Sequence, residues 1–315
     1  FPVDAPHLSR KFINSWMPNL ACFVDSEIWP NFINEIKKNK IPLILVNGRI
    51  TEKTFKRWKI IRGFAEKIFS SFDICLASNK KSMIHLQNLK AKNVKYFGNL
   101  KFIINTNSSS NLKDVNKFFL DKHKVWCAAS THNNEEEFCV NAHLEIKKVH
   151  NNVITIIIPR HINRIDKIHK KLKNFNIKIQ ILNDNDVINS DTEILLINSF
   201  GKLTQYFKYC KSVFIGKSIL KKLISVGGQN PIEAAKFGCK IYHGPYVSNF
   251  DEVYEFLSKI NVAEKINNFK EISLKITNDL NSPKIMNEDN IKKIDNYGKE
   301  ILKKTVAEFS KIILR

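Results

Sequence analysis

Short apolar runs separated by longer amphipathic stretches recur through most of this chain, and that alternation restricts the fold more than any other feature. Runs of strand length lie at Leu20–Val24, Pro42–Val46, Ile74–Ala77 and Val94–Phe97, with helical spacing between them at Trp29–Lys38, Lys53–Phe69 and Lys80–Leu89. A βαβα order predicts a parallel sheet covered by helices. The polar stretch Asn105–Asn111 interrupts the pattern and marks a boundary between domains. Beyond it come Val125–Ala129, a helix over Asn134–Val149, Val153–Ile158 and a basic helix to about Lys173. Strand-like runs follow at Ile177–Leu182, Ile194–Ile197, Val213–Ile215 and Lys240–Tyr242, and Asn290–Leu314 reads as a long amphipathic helix. The second half therefore predicts a complete doubly wound unit. The first half carries too few strands for a whole Rossmann domain.

With 315 residues the chain has room for two domains, and 43% hydrophobic and 10% aromatic residues suffice for packed cores. The formal charge of +21 implies acidic partners: a nucleotide, a phosphorylated lipid, an anionic bilayer or nucleic acid. Much of the excess is lysine beside asparagine and isoleucine, as in Asn34–Lys40 and Lys167–Lys178, which codon use in AT-rich DNA produces equally well. Cys22, Cys75, Cys127, Cys139, Cys210 and Cys239 show no C-x-x-C spacing and read as buried thiols rather than a disulfide framework or a zinc site. No apolar run reaches the ~18 residues of a spanning helix, and no signal-peptide pattern is visible. The chain opens at Phe1 on a segment containing Pro2 and Pro6, which reads as irregular and as part of a longer protein.

The motifs cluster where predicted strands end. In Gly227-Gly228-Gln229-Asn230-Pro231-Ile232-Glu233, two glycines permit close backbone approach, Asn230 suits an N-cap and Pro231 the first helical position. Glu233 then either completes the cap or accepts hydrogen bonds from a ribose while the helix-start amides hold phosphate. Pro159-Arg160-His161 directly follows an apolar strand, so Arg160 is either a solvated charge or a fork for phosphate. Ala129-Ser130-Thr131-His132 ends another strand ahead of Glu135, Glu136 and Glu137, but the spacing is not that of a metal site. Glu27, Arg49 and Lys101 follow three strands of the first half and are expected to face one crevice. Walker A, G-x-S-x-G and G-x-G-x-x-G motifs are absent.

Seven segments taken in order resemble the Kdo transferases, which move 3-deoxy-manno-octulosonate (Kdo) from CMP-Kdo to a lipid A precursor. They are Asp25–Asn31, Asn47–Lys53, Gly98–Phe102, Ala129–His132, Pro159–His161, Gly227–Glu233 and Gly244–Phe250. The resemblance implies an α/β GT-B glycosyltransferase of two Rossmann-like domains facing a cleft, the N-terminal one truncated. It divides the chain into a partial acceptor-side domain (1–106), a linker (107–122), a CMP-Kdo-binding domain (123–289) and a C-terminal helix (290–315). It further implies inversion without metal or cofactor, and places the protein peripherally on an anionic membrane surface, the cytoplasmic face of the inner membrane, with no nucleic-acid partner. CMP would be held by Pro159, Arg160, the Phe200-Gly201-Lys202 backbone and Asn230, Pro231, Ile232 and Glu233. Glu27 and Lys101 would stabilise the transition state, and Ser130, Thr131, His161 and Arg49 stand nearby in the motifs. Lys202, Lys217 and Gln229 depart from the family pattern of Glu, Gly and His. The family's catalytic base follows a Ser-x-Gly upstream of Glu27. Ser-x-Gly-Glu occurs nowhere in these residues, so this chain is expected to bind donor without transferring it. A GT-B enzyme using a UDP-sugar, or a non-catalytic homologue binding acidic lipid or nucleic acid, are the rival expectations.

Overall fold

Strands buried on both faces read as near-continuous apolar runs, and such strands form the middle of two separate parallel sheets here. The computed structural model describes residues 2–105, 112–201, 203–224, 226–284 and 286–313. The chain divides into two compact units, Phe1–Ile103 with Asp295–Arg315, and Ile104–Ile294.

The first unit runs α1 (Pro6–Trp16), β1 (Ala21–Val24), α2 (Pro30–Lys38), β2 (Leu43–Gly48), α3 (Glu52–Ile60), α4 (Arg62–Phe69), β3 (Ile74–Ala77), α5 (Lys80–Asn88) and β4 (Val94–Tyr96). Its sheet is parallel in the order β1-β2-β3-β4. One core joins Phe32, Ile33, Leu45, Ile68, Phe69 and Phe72. The Pro-containing opening is helical rather than irregular. Pro6 occupies the first helical turn, where a missing N–H costs nothing, and α1 buries Ser9 and Ile13. The single helix expected over Lys53–Phe69 is two, broken at Ile61 (φ −110°, ψ 50°).

Residues 295–315 are not a separate helical piece. A Cβ at Gly98 (φ +124°) would lie 2.5 Å from Ile301, Phe102 meets Tyr297 edge-on at 4.9 Å, and Lys95 pairs with Glu308 at 2.7 Å. Phe309 and Ile312 pack on Ile44, Val46, Ile74 and Leu76 and so cover a face of the first sheet.

The second unit comprises α6 (Asp114–Asp121), β5 (Lys124–Thr131), α7 (Glu135–Lys147), β6 (Val153–Pro159), α8 (Ile165–Leu172), β7 (Ile179–Leu182), β8 (Ile194–Ile197), α9 (Leu203–Phe207), β9 (Ser212–Ile215), α10 (Ile232–Lys236), β10 (Lys240–His243), α11 (Asp251–Lys259), β11 (Ala263–Lys265) and α12 (Phe269–Asp279); α13 (Glu288–Ile313) begins here. All neighbours in the order β11-β10-β9-β5-β6-β8-β7 are parallel. Trp126, Ile157, Leu196 and Phe214 sit in its core under α7, α8 and α12. Part of the expected linker is structured. α6 buries Asn116, whose amide donates to the Asp186 carbonyl and accepts from the Ile188 N–H, whereas 107–111 lie outside the described residues. The three-residue β11 is too short to register as an apolar run.

Candidate functional site

In the second sheet the chain leaves β5 for β6 on one side and returns from β8 to β9 on the other. Ligands of doubly wound sheets bind at the carboxyl ends flanking such a switch point. Three loops meet there, after β5, β6 and β9. The β5 ladder shifts register between Ala129 and Thr131, with Ser130 in the left-handed region at φ 55°. Thr131 is buried and its hydroxyl donates to Glu136, which also accepts from Arg164 at 3.1 Å, so Thr131 holds the turn rather than facing a ligand. Arg160 is exposed, and its N–H donates to the Thr131 carbonyl at 3.0 Å. Pro159 is buried at the end of β6, leaving the guanidinium as that segment's polar group.

His132 lies 3.1 Å through Nδ1 from the Ser130 carbonyl and 5.9 Å, ring to ring, from the exposed His161. Burial first, then the charges of Lys217, His161 and Arg164, lower its pKa to about 4 against the opposing Ser130 bond. The ring is thus neutral near pH 7, with Nδ1–H donating. The three glutamates after it are already engaged. Glu135 accepts four backbone N–H bonds, Glu136 takes Thr131 and Arg164, and Glu137 pairs with Lys171. All three carboxylates are thus engaged by donors of this chain, Glu135 by backbone amides and Glu136 and Glu137 by Arg164 and Lys171.

The glycine motif folds under close approach. A Cβ at Gly227 would lie 2.1 Å from the Tyr246 carbonyl oxygen, and Gly228 has φ +94°. Gly228 N–H donates to the Lys217 carbonyl at 2.6 Å. The helix starts one residue later than expected, with Pro231 rather than Asn230 as its N-cap, and Asn230 Oδ1 accepts from the Ile232 N–H at 3.1 Å, so this amide is not open to phosphate. Pro231 and Ile232 are buried, and Glu233 is half-buried in the first turn of a five-residue helix too short for a strong dipole. After β8, Phe200 is 78% exposed and Gly201 (φ +76°) meets nothing within 4 Å. Lys202 lies outside the described residues.

In the first unit, the structure gathers Arg49 and Lys101 around a residue the sequence reading did not single out, Asp25. Asp25 Oδ1 accepts from Asn47 Nδ2 at 2.5 Å, its Oδ2 stands 3.8 Å from Lys101 Nζ, and Arg49 N–H donates to its carbonyl. Burial lowers the Arg49 pKa and the Asp25 charge opposes it. Asn47 also accepts from the Leu100 N–H, tying the ends of β1, β2 and β4 together. The available clue was Asp25 and Asn47 at strand ends, both residue types that tolerate the left-handed backbone they adopt here (φ 55° and 52°). Glu27 is exposed, its carboxylate accepting from Trp29 Nε1 at 2.7 Å.

A family model described as 3-deoxy-D-manno-octulosonic-acid transferase (kdotransferase) matches residues 1–104. The chain is 30% identical over 308 residues to the 3-deoxy-D-manno-octulosonic acid transferase of Rickettsia prowazekii, covering 96% of this chain and 65% of that protein. It is 26% identical over 270 residues to the enzyme of the same name from Haemophilus influenzae, covering 84% and 62%. The chain thus spans less than two thirds of the length of these relatives. In fold it is similar to a putative UDP-N-acetylglucosamine 2-epimerase from Listeria monocytogenes (TM-score 0.63, 14% identity, 97% of this chain and 78% of that one).

Proposed function

Because the chain is related by sequence to the Kdo transferases along both of its units, we propose that it serves Kdo transfer from CMP-Kdo to a lipid A precursor. In this reading the second unit takes the donor. Arg160 pairs with the CMP phosphate, the Asn230–Glu233 turn meets the ribose through Glu233, and Phe200–Gly201 offer an open backbone and an exposed aromatic face. Inverting transfer breaks the bond between the anomeric carbon and phosphate oxygen as the acceptor oxygen arrives from the opposite face. Negative charge grows on the departing CMP and positive charge on the sugar carbon. Cations such as Lys101 and carboxylates such as Glu27 lower that barrier when their charges are fixed beforehand, and Asp25 Oδ2 stands 3.8 Å from the Lys101 ammonium. The base implied by the resemblance belongs to a motif these residues do not carry, so the contribution proposed for this chain is donor binding and charge stabilisation.

The observation that carries the reading is the exposed Arg160 guanidinium beside the switch point, its backbone pinned to Thr131. Calorimetry in EDTA tests it. CMP should bind in preference to UDP, and Arg160→Ala should weaken CMP by about 1.5–3 kcal/mol, the scale of a charged hydrogen bond. Equal CMP affinity in the two proteins removes Arg160 from the site.

A further inference from the structure

The side chain of Glu135 is fully buried, yet it faces no cation within salt-bridge distance among the described residues. Its partners are backbone amides. Oε2 accepts from Lys217 N–H at 2.6 Å and His132 N–H at 2.9 Å, and Oε1 from Ser218 N–H at 2.9 Å and Ile219 N–H at 3.2 Å. Successive amides converging on one point form an anion-binding cradle. Here the chain's own carboxylate fills it, so a ligand phosphate must find its partners elsewhere.

We propose that Glu135 is a positioning residue of the donor site, a buried clamp that holds the loops carrying Arg160 and Glu233 in register with one another. The proposal rests on reading the second unit as the donor-binding half. Two chains of contacts lead out from the carboxylate. On one side, His132 follows Thr131, whose carbonyl receives the Arg160 N–H. On the other, the Lys217 carbonyl receives the Gly228 N–H, and Ser218 receives the N–H groups of Tyr246 and Gly244, which sets the turn ahead of Glu233. Gly216 permits this junction, since a Cβ there would lie 2.6 Å from the Ser130 carbonyl oxygen and 2.9 Å from Glu135 Oε2. An amide cannot replace the carboxylate, because its NH2 would point at two N–H donors and leave them unsatisfied.

The test compares wild type, Glu135→Gln and Glu137→Gln for affinity toward CMP and cytidine, and for amide hydrogen exchange. Glu135→Gln should exchange faster at 217–219 and His132 and should reduce the preference for CMP over cytidine about tenfold, the scale of one charged hydrogen bond. Glu137→Gln, which breaks only the surface pair with Lys171, should match wild type in both. If Glu135→Gln does not fold, Glu135→Asp carries the same comparison, keeping the charge but drawing the oxygens back from the amides. A lower melting temperature with an unchanged CMP-over-cytidine ratio would reduce Glu135 to a fold-stabilising residue and overturn the proposal alone. No CMP binding by wild type would overturn the donor-site reading, and the proposal with it.

Discussion

Gly216→Ala probes the tightest junction of the second unit. The added methyl carbon would lie 2.6 Å from the Ser130 oxygen, 2.7 Å from Thr131 Cα and 2.9 Å from Glu135 Oε2. A comfortable carbon-to-oxygen separation begins near about 3.3 Å, so the β5 and β9 ends must part by more than half an ångström. Neither end yields easily. Ser130 is held in a left-handed turn, Gly216 N–H is bonded to the Ala129 carbonyl, and Glu135 joins the two loops by four hydrogen bonds. Overpacking of this kind costs about 1–3 kcal/mol, and stretching the carboxylate's bonds adds about 1 kcal/mol. For a unit of this size each kcal/mol lowers the melting temperature by about 2–4 °C, so a total of about 2–4 kcal/mol corresponds to a fall of about 4–16 °C by calorimetry. Gly63→Ala is the control. It lies exposed in α4 with nothing within 4 Å of its Cβ position, and should raise stability by about 0.4–1 kcal/mol. A Gly216→Ala protein melting within about 1 °C of wild type would show that the loops separate freely, and the steric reasoning would be refuted.

Two further outcomes follow from charge. His143 is buried, 2.8 Å from Thr155 Oγ1, with its pKa lowered to about 4 chiefly by burial, against the pull of Glu193. A depressed histidine stabilises the fold above its ordinary value of 6.5, and that contribution is lost as pH falls from there through about 4. At 1.36 kcal/mol per unit the loss is about 3 kcal/mol. His143→Gln should flatten this acid limb in denaturant titrations, and an unchanged limb would assign it to other groups. The charge of +21 predicts binding to anionic vesicles. No helix among the described residues is long and apolar enough to cross a membrane, so co-sedimentation should collapse with added salt; persistence in about 1 M salt would indicate apolar insertion instead.

The sequence by itself determined the alternation of strands and helices. Parallel strands buried on both faces read as near-continuous apolar runs, as in Ile194–Ile197 and, apart from Thr155, Val153–Pro159. It also marked the strand ends after which Glu27, Arg49 and Arg160 lie, because polar residues and glycines break those runs. Several local features misled it. Pro6 reads as a breaker but opens a helix, and the run over Lys53–Phe69 hides the break at Ile61. Five of six cysteines are buried as their apolar contexts suggest, while Cys22 on the first strand of its sheet is exposed. Only the tertiary structure revealed that residues 295–315 complete the first unit, that Asp25 gathers Arg49 and Lys101, and that the glutamates after His132 are clamps. Periodicity and turn chemistry are written within a few residues and can be read in order. The partner of a buried carboxylate is not: Glu135 meets Lys217 across 82 positions of chain, and nothing in either neighbourhood names the other until the sheet brings them together.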